Sequence, residues 1–187
     1  RENAVSFGLG LQITNISKDI VVDRGRGWSY VPRTYIEANG LTPDEFHSGK
    51  SSEKDLKVLK KLLNKTVGHL NDALNFTLAI PRSYARIRLF CIWPLWMAME
   101  TVAELHNNHD LLKSNANVKI SRDTVKRILR GTPFICWSNI LLERSFLNIL
   151  KIEKFDSSYH FNIEQLKERL NDLSLDNIPS KPQENEF

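Results

Sequence analysis

A chain of 187 residues with 41% hydrophobic content is long enough for one domain with a real core. Its formal charge of +4 is mild and its basic residues are scattered, so nucleic acid is not an expected partner. Cys91 and Cys136 are too few and too distant for a disulfide framework or a zinc site, and a reducing, cytoplasmic compartment fits them.

The chain starts without Met: Arg1-Glu2-Asn3 leads straight into helix-like sequence, which reads as a cut through an element of a longer protein. The first helix is expected to run to about Asp23, because Gly25 and Gly27 break it and Pro32 ends the following loop. A short helix is expected from Arg33 to Asn39, closed by Gly40. Thr42-Pro43-Asp44-Glu45 then starts another, with a capping threonine, proline at the first position and acids in the first turn. His47 to Glu53 reads as a loop, and a long amphipathic helix follows from Ser52 to Ala79.

The next helix spans Tyr84 to His106 with Pro94 inside it as an expected kink. Its apolar run, Leu89 to Val102, is interrupted by Glu100 and falls short of 18 residues, so it reads as a buried helix rather than a membrane span. Asn107 to Asn117 is a polar connection. Ser121 caps a helix to about Leu129, another runs from Pro133 to about Ile152, and a last amphipathic one from Asn162 to Leu173. The expectation is an all-α chain of about seven helices, one domain over residues 1–175 and a polar tail over 176–187.

Within the first helix, Gln12, Asn15, Asp19 and Asp23 recur at three- and four-residue intervals and so form one stripe. Their neighbours (Phe7, Leu9, Leu11, Ile16, Ile20 and Val22 among them) are apolar on nearly every other side, so the stripe is expected to face an interior or a cleft. Asp19 and Asp23, at i and i+4, place their Cβ atoms about 5–6 Å apart. Two carboxylates ionised so close together need relief, and a hard divalent cation with oxygen ligands supplies it. Asn15 and Gln12 offer amide oxygens on the same line. Arg24 and Arg26 lie where they could pair with phosphate oxygens, so the stripe reads as a metal–diphosphate site. A solvated helix face followed by a capping loop is the competing reading of the same spacing.

The segment GLGLQITNISKDIVVDRGRGWSYVP resembles the second aspartate-rich segment of the squalene and phytoene synthase family, with Gln12, Asn15, Asp19, Asp23, Gly27, Tyr30 and Pro32 in place. A second block, LFCIWPLWMAMETVAELHNN followed by VKISR, is similar to squalene synthases at Phe90, Cys91, Pro94, Met97, Ala98 and Thr101, and again at Asn107, Asn108 and Val118 to Ile120. The resemblance covers about Phe7 to Arg130. It implies an all-α isoprenoid-synthase bundle around a central cavity. It also implies head-to-head coupling of two farnesyl diphosphates, with NADPH reducing the cyclopropyl intermediate to squalene.

By the same resemblance, Asn15, Asp19 and Asp23 would hold magnesium, and Gln12 would belong to the same catalytic set. Arg24, Arg26 and Tyr30 would face the diphosphate, and Phe90 would line the cavity wall. Lys119 and Arg122 would meet the phosphates of the nicotinamide cofactor. Cys91 reads as a packing residue and the five histidines receive no role.

No aspartate-rich motif precedes Asp19, although family members carry a facing one in an N-terminal half. The chain is therefore expected to be a C-terminal half that does not catalyse alone. Val22 stands where the family usually has an acid, Trp28 where it tends to have arginine, and Leu95 where squalene synthases have glutamine. Two alternatives follow: a phytoene or dehydrosqualene synthase, and a non-catalytic all-α interaction module. The polar stretch Leu173 to Phe187 carries no anchor, so a soluble or peripherally membrane-attached protein is expected.

Overall fold

The computed structural model describes residues 2–48, 52–106, 112 and 118–150. Among them are seven helices and no strand: α1 (Glu2–Gly25), α2 (Arg33–Glu37), α3 (Pro43–His47), α4 (Glu53–Ala79), α5 (Ala85–His106), α6 (Arg122–Ile135) and α7 (Asn139–Leu150). The all-α expectation is met. The expected helix at Asn162–Leu173 and the tail over 176–187 lie outside the described residues.

The long helix α4 is the centre of the packing. It starts with a capping box in which the Ser52 hydroxyl accepts from the Asp55 backbone and the Asp55 carboxylate accepts from the Ser52 backbone. Leu62, Leu63, Val67, Leu70 and Leu74 along it are buried. Burying each such side chain contributes about 1.5–3 kcal/mol. Helix α1 lies against α4 in antiparallel fashion, with Phe7 edge-on to Phe76 at 6.0 Å and Ser6 hydrogen-bonded to His69 at 3.3 Å. Helix α5 returns from α4 through the turn over residues 80–84 and so runs parallel to α1. It continues unbroken through Pro94.

Helices α6 and α7 dock on α5 through the indoles the sequence places there. Trp93 Nε1 donates to Thr132 Oγ1 at 3.1 Å, and Trp96 Nε1 donates to Ser145 Oγ at 2.9 Å. Helix α6 continues to Ile135, beyond the expected stop at Leu129, and takes in both Gly131 and Pro133. Pro133 falls in the last turn, where its missing N–H costs a single hydrogen bond and the next amides still find partners: Cys136 N bonds Thr132 O at 2.9 Å. The break comes at residues 136–138, where Ser138 caps α7 by accepting from the Leu141 N–H.

No described helix is long and apolar enough to cross a membrane. Both cysteines are free and buried, and burial pushes their thiols up, which suits Cys91 as a packing residue.

Candidate functional site

Helix α1 packs on α4 with its small residues at the closest approach, flanked by apolar ones such as Phe7 and Ile20. Gly10, Thr14 and Ser17, at i, i+4 and i+7, are all buried. A Cβ on Gly10 would stand 2.9 Å from Leu70 Cδ2 and 3.3 Å from α4 backbone, so glycine sets how closely the two helices approach. The Thr14 and Ser17 hydroxyls donate back to the Gly10 and Ile13 carbonyls at 2.7 and 2.8 Å, which satisfies them without a partner on α4.

The polar stripe lies on the opposite side. Gln12 and Asn15 are exposed, the Asp19 side chain is 43% exposed and that of Asp23 is 14% exposed. The stripe was expected to face an interior or a cleft: among the described residues Gln12, Asn15 and Asp19 face outward, and Asp23 borders a small cleft. The reason is geometric: α4 takes the side where Gly10, Thr14 and Ser17 allow close approach, and the stripe points about half a turn away. Val5, Leu9 and Val22 also remain exposed on α1.

The end of α1 is built around its last carboxylate. Trp28 N–H bonds Asp23 O and Gly27 N–H bonds Arg24 O, both at 2.9 Å, with Gly27 at φ 78°. This is a Schellman closure, and the positive φ is the reason a glycine stands there. It fixes Asp23 in the final turn, at the negative end of the helix dipole. Arg26 lies over the Trp28 ring, 5.6 Å from its centroid, and its Nη1 is 3.8 Å from Asp23 Oδ1. Lys18 Nζ is 3.7 Å from Asp19 Oδ2. Asp23, Trp28 and Tyr30 line a small cleft with Ile16, Ile20 and His47.

Of the expected diphosphate residues, Arg26 and Tyr30 stand with the stripe and Arg24 does not. Arg24 Nη2 reaches back to the Leu112 carbonyl at 3.3 Å and ties the end of α1 to the connection after α5. His47 was given no role from the sequence, yet it backs this cleft with both ring nitrogens buried and unpartnered among protein atoms. Burial, then the Arg24 cation, hold it below the ordinary histidine range, with Asp44 acting the other way. The capping box Thr42–Glu45, which orients the short helix carrying His47, was the signal available in the sequence.

Phe90 is 76% exposed on α5, while Trp96 and Leu95 beside it are core. Phe90 lies sixteen positions, about 24 Å of helix, before His106, so it stands far along the parallel helices from the carboxylate end. Lys119 and Arg122 are exposed at the start of α6.

The oxygen-only donor set of Asn15, Asp19 and Asp23 suits a hard cation, as does the negative helix end. Among the described residues no group of three or more His, Cys, Asp or Glu side chains forms a complete metal site. The stripe itself offers two carboxylates and the Asn15 amide oxygen.

Comparison with known proteins bears on the same segment. Residues 1–124 match the family model described as squalene/phytoene synthase. The chain is 36% identical over 105 residues to a bifunctional lycopene cyclase/phytoene synthase of Colletotrichum graminicola, covering 56% of this chain and 17% of that protein. It is 32% identical over 131 residues to a squalene synthase of Candida albicans, covering 67% of this chain and 28% of that one. A chloroplastic phytoene synthase of Daucus carota is 27% identical over 96 residues, 51% of this chain and 22% of the relative. The chain thus spans less than a third of the length of each of these relatives.

Proposed function

This chain belongs to the squalene/phytoene synthase family, and from that premise we propose that it supplies one carboxylate-bearing wall of a site that joins two prenyl diphosphates head to head. The observation that carries the reading is the outward stripe Gln12–Asn15–Asp19–Asp23 on a helix that also leaves the large apolar residues Val5, Leu9 and Val22 exposed. Large apolar side chains left in water favour a partner that covers them. A second carboxylate-bearing element facing α1 would both cover Leu9 and Val22 and complete the ligand set.

In this reading Asn15, Asp19 and Asp23 hold magnesium, and Gln12 orients the diphosphate beside them. The ion supplies Lewis-acid stabilisation of charge on the departing diphosphate. Arg26, held by Trp28, presents its free guanidinium edge to phosphate oxygens, and Tyr30 borders the same cleft. Arg24 acts through position, by fastening the end of α1. Phe90, on the exposed side of α5 and far from the carboxylate end, would meet the distal ends of the prenyl tails rather than the reacting carbon.

Farnesyl diphosphate is the proposed substrate and squalene the proposed product, with Lys119 and Arg122 meeting the phosphates of NADPH. The 36% identity to a phytoene synthase supports a second reading, coupling of the same kind without reduction.

The test is to incubate the protein at its natural full length with farnesyl or geranylgeranyl diphosphate and magnesium, with and without NADPH, and to identify the hydrocarbon. Asp19→Ala and Asp23→Ala are each expected to lower the rate by about a hundredfold or more, the scale for losing one electrostatic stabiliser. Undiminished hydrocarbon formation in both variants defeats the metal assignment. A product unchanged by NADPH assigns the protein to non-reductive coupling. Residues 1–187 alone are expected to form no product, since the stripe is half a ligand set.

A further inference from the structure

Helices α6 and α7 both stand on α5, and a groove of about 740 Å³ runs along them. It is lined by Trp96 of α5, by Ile128 and Ile135 of α6, and by Leu141 and Ile149 of α7. Arg127, tied to Glu100 at 2.8 Å, and the exposed Arg144 border it.

Gly131 is the unexpected residue of this groove. It lies inside α6 without a positive φ, where alanine would give a more stable helix. A Cβ built on it meets no atom of the described residues within 4 Å. Gly10 shows what such a glycine does on a covered face: it lets α4 come close to α1. The groove therefore combines apolar walls with a bare patch of helix backbone, which suits a second helix laid against it.

We propose that the groove is filled by residues 162–173 of this same chain, laid as a helix along α6 and α7. Ile163, Leu166, Leu170 and Leu173 recur at three- and four-residue intervals, with Glu164, Glu168 and Asp172 on the opposite side. That pattern is a single apolar stripe about 15 Å long with an acidic face for water. The groove follows α7 from Leu141 to Ile149, about 12 Å of helix. Leu150 ends α7 beside it, and residues 151–161 connect Leu150 to Asn162. At about 3.3 Å per residue this connection reaches about 36 Å, ample to turn back along α7. Asp156, Ser157 and Ser158 within it are turn formers.

Tethering also decides between this segment and a second copy of the chain. A short linker holds its segment at an effective concentration on the order of millimolar, far above a second molecule at micromolar concentration. The groove walls from Ile128 onward and the segment lie beyond residues 1–124, which match the family model, and the contact is independent of the prenyl-coupling reading.

The experiment uses the full chain with Leu141, 42% exposed in the groove, replaced by photoreactive benzoylphenylalanine. Normal and heavy-nitrogen protein are mixed before irradiation, so that crosslinks within one molecule are told from those between two. The expected product joins position 141 to a peptide from residues 162–173 of the same molecule, and Leu166→Ser/Leu170→Ser abolishes it. A second probe needs no photoreactive group. Asn148 is exposed in the groove and both natural cysteines are buried, so Asn148→Cys reports cover by its rate of maleimide labelling. Adding Leu166→Ser/Leu170→Ser should speed that labelling by about tenfold or more, the factor for losing one buried leucine. Gly131→Ala should lower the thermal midpoint, because the added methyl group meets the docked segment.

Thermal melts of each variant check that the bundle persists. Crosslinks only to a second copy or to other residues, or none, overturn the proposal. So does labelling of Asn148→Cys that is unchanged by the leucine substitutions. A midpoint raised by Gly131→Ala, the result for an uncovered helix, overturns it equally.

Discussion

Asp23 occupies a position where a carboxylate weakens a helix. It lies in the final turn, facing the negative end of the dipole, with Arg26 3.8 Å away as a partly exposed partner. Asp23→Asn should therefore cost the isolated chain no stability and gain it up to about 1 kcal/mol, read as urea-melt midpoints, while abolishing the proposed ion binding. A clear loss of stability would make Asp23 a structural residue. Gly10 behaves in the opposite way: the contact at 2.9 Å leaves no room for a branched side chain. Gly10→Val should cost about 1–3 kcal/mol in the same measurement, the usual range for overpacking. His47 adds a pH dependence. Its folded pKa is depressed by burial, so it contributes stability that is present above the ordinary histidine value of about 6.5 and is lost as pH falls through the folded value. The thermal midpoint should fall on acidification below that point, and His47→Gln should flatten part of the fall.

At the scale of elements, the helix starts were legible because capping is local chemistry. Thr42 and Ser121 cap their helices as expected, accepting from Glu45 and Thr124, and Ser52, read only as a helix start, caps with Asp55. Ser52→Ala should lower stability by about 1 kcal/mol, since it removes the cap of the central helix α4. A loss within error would show that the box adds nothing beyond the packing of α4. Helix ends were less legible. Gly131 and Pro133 are breakers by propensity, but the hydrogen bond from Trp93 to Thr132 holds that stretch to α5 and the helix continues past both. The side of α1 that meets α4 was also hard to read from the sequence. Large apolar residues surround the helix, so their distribution does not single out an inner face, and Gly10-Thr14-Ser17 at helical spacing was the better guide.

At the scale of the molecule, α1, α4 and α5 pack mutually, and α5 carries α6 and α7 through two indoles and one buried guanidinium. Among the described residues Arg88 Nε and Nη1 have no partner, so the hydrogen bond to Asn139 is what offsets its burial there. Asn139→Ala should cost about 2–3 kcal/mol by leaving that charge alone, and Arg88→Met should cost less, because a buried cation replaced by an apolar side chain of similar shape leaves nothing unsatisfied. The reverse order in thermal melts would mean that the charge itself stabilises the fold. The sequence by itself determined the helix count among the described residues, the caps, the stripe and the family, because each rests on spacing within a few residues or on an ordered run of side chains. Only the tertiary structure decided that most of the stripe faces outward, that Arg24 serves Leu112, that His47 backs the site, and that a groove opens along α6 and α7. Those depend on which helix faces approach closely enough to exclude water, and that is set by contacts between residues tens of positions apart.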